Sequence, residues 1–147
     1  MGIFFSDVPG QTNLTEHNIA LQPEAKPFRC SPYRLSSYKS EFVKQELGDF
    51  KRQGIITDAP SDSPWAAPIA VVSKADGGWC LCTDFCHLNQ LTVPDPYPLP
   101  RTDDLLHKLG KASYLTKVDM SKGQHQVRLA RDAIPLTGFV TPFGHWG

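Results

Sequence analysis

The sequence predicts an α+β fold with an incomplete sheet, and three observations lead there. SSYKSEFVKQELGDFKRQG has the apolar spacing of an amphipathic helix, two apolar runs flank an Asp-Gly turn, and the end of the chain alternates short strand-like runs with turns. Three such runs without further helices to cover them leave a sheet short of partners. The 147 residues suffice for one domain with its own core. With 40% hydrophobic and 20% charged residues the composition is globular, not that of a disordered tail.

Residues 1–35 contain Pro9, Pro23, Pro27 and Pro32 and no lasting periodicity, so an extended lead-in lying on another surface is expected. Ser36 or Ser37 is placed to cap a helix that Gly54 ends, with Phe42, Val43, Glu46, Leu47 and Phe50 along one stripe. Gly48 inside it costs about 1 kcal/mol against alanine. Pro64 and Pro68 set an extended approach to IAVVS, ADGG turns the chain, and WCLCTDF returns as the second strand of a β-hairpin. VPDPYPLPR places proline at every second position from 94 to 100, which locks φ, removes donors and forces an extended path. Thr102 as N-cap, Asp103 and Asp104 in the first turn, and Gly110 bound a short helix carrying Leu105, Leu106 and Leu109. SYLTKVDM, HQVRLA and TGFVTPFG then predict three strands.

Fifteen basic residues balance fifteen acidic ones, so no global field announces a nucleic-acid partner. Locally, Lys26 to Arg52 holds seven basic against three acidic residues, which ordinarily marks a solvated face. No apolar run nears the roughly 20 residues that span a bilayer. MGIFFSDVPG lacks the basic start and long apolar core of a signal peptide. An intracellular location, cytoplasmic or nuclear, with no membrane partner is therefore expected.

Cys80, Cys82, Cys86 and His87 form a C-x-C-x3-C-H pattern. Structural zinc sites draw on paired knuckles at turns, whereas Cys80 and Cys82 fall in a strand-like run. Together with Cys30 they are expected as free thiols of a reducing compartment, and the spacing assigns no metal–thiolate site. YLTKVDMSKGQHQVRLA places a single carboxylate, Asp119, at a predicted strand end before a Ser-Lys-Gly turn. Alone, such an aspartate is most simply a turn or cap residue.

In order and spacing, FSDVP, YRLSSYKSEFVKQELGDFKRQGII, SPWAAPIAVVSKADGGW, CTDFCHLNQLTVPDPYPLPRTDDLLHKLGKASYLTKVDMSKG and FVTPFG resemble the reverse transcriptase of gypsy-type long-terminal-repeat retrotransposons. The resemblance runs from about Phe5 to Gly147. It implies a right-hand polymerase fragment, with residues 36–110 as fingers after the lead-in and 111–147 as the truncated start of the palm. It also implies an RNA template, a DNA primer and a deoxynucleoside triphosphate as partners. The remaining polymerase, ribonuclease H and integrase regions would lie in cis in a parent polyprotein.

Under this resemblance the hairpin around Ala75 to Gly78 folds over the incoming nucleotide and Lys74 reaches its phosphates. Asp119 matches the first catalytic carboxylate and, with the Met120 carbonyl, would bind Mg²⁺. Two-metal nucleotidyl transfer needs several carboxylates around two ions about 4 Å apart. The amides of Ser121, Lys122 and Gly123 would face phosphate oxygens as an anion-binding nest. Gln124 stands where the family carries an aromatic that excludes ribonucleotides.

The departures weigh as much as the matches. The sequence has no Tyr-x-Asp-Asp motif for the remaining metal carboxylates, since Asp103 and Asp104 open a predicted helix. Cys80 and Cys86 replace family arginines, and a thiol supplies neither charge nor a bidentate fork. The expectation is a fragment of an RNA-directed DNA polymerase that is inactive alone. The alternatives are a non-catalytic nucleic-acid-binding module using the basic segment and aromatics such as Trp65 and Trp79, or a relic without selected function.

Overall fold

Over residues 10–35 the prolines lack N–H donors, and this stretch is held by a two-residue strand and single bridges to later segments. The structure, a computed structural model, describes residues 10–75, 77–110, 112–118, 120 and 122–147. A two-residue strand, β1 (Glu16–His17), runs parallel to Arg128–Leu129. Single bridges tie Leu21 to Thr92 and Arg29 to Ala66, and the Cys30 amide donates to the Ala66 carbonyl at 2.9 Å. The described part of this stretch thus lies along other segments.

Helix α1 (Ser37–Arg52) begins where expected: the Ser36 hydroxyl accepts from the Lys39 amide at 3.4 Å. It ends in a left-handed turn at Gly54, φ +68°, with Ile55 donating to the Phe50 carbonyl and Gly54 to that of Lys51. That pair of bonds is a Schellman closure, which glycine adopts without the penalty of a side chain. Val43 and Leu47 of the predicted stripe are buried, and Phe42 and Phe50 pack beside them.

Strands β2 (Ala67–Ser73) and β3 (Trp79–Thr83) form the predicted antiparallel hairpin, with Ile69 opposite Thr83 and Ser73 opposite Trp79. Pro68 is tolerated because it sits near the start of β2, before β3 pairs with it, and its carbonyl still accepts from the Asp84 amide. A short helix, α2 (Cys86–Leu91), follows and was not predicted. Its start is fixed by the Asp84 carboxylate, which accepts from the Cys86 amide at 3.1 Å. The proline-spaced stretch forms no regular element, and α3 (Thr102–Leu109) follows with Gly110 at its end. Thr102 lies inside the helix rather than capping it, and Arg101 takes the cap position without a side-chain bond.

The three predicted final strands need correction. Residues 112–118 adopt no strand, and Tyr114, Leu115 and Val118 stay exposed. A strand requires a neighbour to satisfy its amides and carbonyls, and among the described residues none pairs with this stretch. HQVRLA contributes only β4 (Arg128–Leu129), whose partner is β1. TGFVTPFG is the strand β5 (Phe139–Thr141) and a tight turn, which leads into a further strand, β6 (Gly144–Trp146). Thr141 bends the chain back: its hydroxyl accepts from the Phe143 amide and the Trp146 indole and donates to the Gly144 carbonyl.

The principal sheet has the order β3-β2-β5-β6, with β2 and β5 parallel and the other pairs antiparallel. Side chains alternate between faces along each strand. Ala67 and Ile69 join Phe139, Ile56 and the α1 residues Val43 and Leu47 in one core, with Val71 and Leu81 packed against it. Cys80 and Cys82 pair with Val72 and Ala70, so they belong to the opposite face of the hairpin.

Candidate functional site

The segment with the most candidate residues is a turn built against the end of α1. Lys122 has left-handed backbone angles, φ 48° and ψ 45°, and opens a 3₁₀ turn over Gly123–His125. The His125 amide donates to the Lys122 carbonyl at 2.9 Å, and that of Gln126 donates to Gly123 at 3.1 Å. Left-handed angles cost a non-glycine residue roughly 1–2 kcal/mol, so contacts must hold the turn. Phe50 of α1 provides two of them: the Lys122 ammonium lies 5.7 Å from its ring centroid and the His125 ring 5.4 Å away. From the other side the Thr12 amide donates to the Gln126 carbonyl, and Arg128 to the Gln11 side chain.

Met120 and Gln124 are exposed, and the Met120 side chain folds over Gly123, where an added Cβ would meet its Cε at 3.0 Å. A larger residue there would push the exposed Met120 side chain aside by a few tenths of an ångström. Burial, and then the nearby Lys122 charge, hold the His125 pKa below the usual histidine value. Asp119 and Ser121 lie outside the described residues. Phe50 appeared in the sequence only as one more stripe position; its role as anchor of this turn depends on a contact that periodicity does not reveal.

Lys74 occupies a different element, the hairpin tip. Its amide donates to the Gly78 carbonyl at 2.8 Å and its carbonyl accepts from Gly77, while its side chain is exposed. Behind the tip, Trp79 lies under the Lys39 ammonium at 5.0 Å and beside Tyr38. Cys80 is half-buried and Cys86 exposed. The Cys86 thiol and amide hold the Asp84 carboxyl below the usual range, and that carboxylate in turn pushes the Cys86 thiol up.

Trp65 is not the exposed stacking platform expected of it. It is 6% exposed and meets Phe28 edge to face at 5.6 Å. Among the described residues no group of three or more His, Cys, Asp or Glu side chains is placed to hold a metal ion. Of the two expected Mg²⁺ donors, only Met120 is described. The described donors do not constitute a two-ion centre. A cavity of about 330 Å³ lies elsewhere, between residues 57–64 and Ile134, Pro135 and Gly138, and none of the candidate residues lines it. No described helix is long and apolar enough to cross a membrane.

The mixed α+β arrangement, a short four-stranded sheet packed on α1, is shared with part of a solved reverse-transcriptase chain. The chain superposes on the Prototype Foamy Virus protease–reverse transcriptase with a TM-score of 0.79, over 94% of this chain and 18% of that one. At 20% identity this likeness shows the fold. In sequence the chain is 34% identical over 140 residues to the retrovirus-related Pol polyprotein from transposon 297 of Drosophila melanogaster, covering 92% of this chain and 13% of that protein. It is 38% identical over 106 residues to the Pol polyprotein from transposon gypsy of the same organism, covering 68% and 10%. It is 41% identical over 64 residues to an RNA-directed DNA polymerase homolog of Oenothera berteroana, covering 44% and 45%. No protein-family profile matches the chain.

The chain is a homologue of the retrotransposon Pol polyproteins, gypsy's among them, and corresponds to a small part of their length.

Proposed function

We propose that this chain acts as the fingers and opening palm of a retroelement RNA-directed DNA polymerase, a surface that positions nucleic acid and nucleotide. The observation that carries this proposal is the match along 92% of the chain to the transposon 297 Pol polyprotein. The anchored 122–125 turn supports it. In this role Lys74 reaches phosphate, the amides of Ser121, Lys122 and Gly123 face phosphate oxygens, and Gln124 lies beside the sugar. Template RNA, primer DNA and deoxynucleoside triphosphate are the corresponding partners. Ribonuclease H and integrase regions would belong to the rest of a parent polyprotein.

In that role Asp119 and the Met120 carbonyl would hold Mg²⁺, which would supply the Lewis-acid chemistry of nucleotidyl transfer. A pair of divalent ions must be balanced by several carboxylates, and the motif match offers Asp119 alone, so these 147 residues do not transfer nucleotides by themselves. Primer extension on an RNA template with Mg²⁺ should give no product from the purified chain, and Asp119→Asn should change nothing. Any elongation by the wild-type chain that Asp119→Asn removes would overturn this assignment.

A binding module is the second reading, and one set of contacts favours it. Lysine ammonium groups lie over aromatic rings at Lys39–Trp79, Lys44–Phe143 and Lys122–Phe50, at 5.0–5.7 Å, whereas Lys51, over Trp146, is already ion-paired with Asp58 at 2.6 Å. Cations ordered on rings are fixed where phosphates could meet them. Binding of an RNA–DNA hybrid should weaken with salt, and Lys44→Ala should reduce the log–log slope by roughly 0.9 if it meets one phosphate. A slope unchanged by that substitution would remove Lys44 from the contact.

A further inference from the structure

Spacing alone gives the C-x-C pair no metal role, but the strand brings its two sulfurs together. Cys80 and Cys82 are two residues apart on β3, so both side chains leave the same face of the sheet. Cys82 Sγ donates to Cys80 Sγ at 3.6 Å, and Cys80 Sγ makes a long contact to the Leu81 carbonyl at 3.8 Å. Their cross-strand partners are Val72 and Ala70, Val72 is 50% exposed, and both thiols are half-buried. The result is a partly exposed dithiol on the face opposite the packed side.

We propose that Cys80 and Cys82 form a two-sulfur site for one thiophilic cation of the zinc and cadmium class. Zinc–sulfur bonds of about 2.3 Å at a tetrahedral angle separate two sulfurs by about 3.8 Å. The observed 3.6 Å is already close to that edge, so binding requires little movement of the strand. Each thiol releases its proton to water as a sulfur–metal bond forms, no oxidation state changes, and water completes the shell. Oxidation to a disulfide fits less well. Cα atoms two apart on a strand are about 6.7 Å from each other, the upper limit for a bridge.

Neighbouring donors are otherwise engaged, which fixes the ligand number at two sulfurs. Cys86 bonds to Asp84, and the His87 ring stacks on Phe28 with centroids 4.2 Å apart. No third His, Cys, Asp or Glu side chain joins the pair among the described residues.

Titration of the reduced full chain with Cd²⁺ tests the site through sulfur-to-cadmium charge-transfer absorption. One equivalent should saturate the band; Cys80→Ser and Cys82→Ser should each abolish it, and Cys30→Ser and Cys86→Ser should leave it intact. Alkylation of the unsubstituted chain gives a second measurement that no variant's folding can disturb. Cd²⁺ should protect Cys80 and Cys82 together while Cys86 continues to react. Absence of the band, its survival in Cys82→Ser, or protection of Cys86 in place of the pair would each overturn the proposal.

Discussion

Thr141 shows how one hydroxyl can close a hairpin. It is 3% exposed, and its oxygen uses both acceptor sites and its single donor within the β5–β6 turn. Thr141→Val keeps the shape but leaves the Trp146 indole and the Phe143 amide without this acceptor. The expected loss is about 1–3 kcal/mol in urea unfolding, with Thr141→Ser losing less. Equal losses for the two variants would show that the hydroxyl contributes nothing. His125 makes the residue scale pH-dependent. Its folded pKa is lowered by burial and then by Lys122, so the folded state favours the neutral ring. The stability it contributes is present above the unfolded value of about 6.5 and is lost as pH falls through the lower folded value. His125→Gln should therefore flatten the fall in melting temperature just below neutral pH. A fall of the same steepness in the variant would assign it to other groups.

At the scale of elements, the chain is legible where a local rule decides the outcome. Ser36, the apolar stripe and Gly54 define α1 because capping, periodicity and left-handed closure all act within a few residues. Ser36→Ala should cost about 1 kcal/mol, read as a shift in the urea midpoint. A midpoint unmoved from wild type would show that the 3.4 Å cap bond carries no weight. The β2–β3 hairpin was equally visible, because ADGG between two apolar runs marks its turn, whereas its register is read only from the fold. Helix α2 escaped because no apolar periodicity develops over six residues, although Asp84 two residues before Cys86 was a readable start signal. SYLTKVDM misled for the opposite reason. Its β-branched and aromatic residues have strand propensity, but propensity forms no ladder without a partner strand. The candidate turn was legible only as a motif. Its anchoring through Phe50, and the meeting of Cys80 with Cys82, depend on three-dimensional neighbours.

The whole molecule joins distant parts of the sequence: β2 pairs with β5, Ala67 with Phe139, and both pack on α1. No local pattern specifies that parallel pairing, which is why the sheet order could not be read from the sequence. It also divides the molecule unevenly. Val43 and Ile69 are fully buried at the junction of helix and sheet, whereas α3 leaves Leu105, Leu106 and Leu109 between 45% and 60% exposed. Burial of apolar contacts is what makes opening costly, so the two regions should open with different free energies. Hydrogen exchange of the full chain should find the β2 amides and those around Val43 among the slowest. Amides of α3 and residues 112–118 should exchange early, at denaturant concentrations that leave the sheet protected. Any cover for the α3 leucines would bury them and slow exchange there selectively. If α3 proves as protected as β2 in the isolated chain, the exposed leucines must be buried in solution, and the uneven division drawn from their exposure fails.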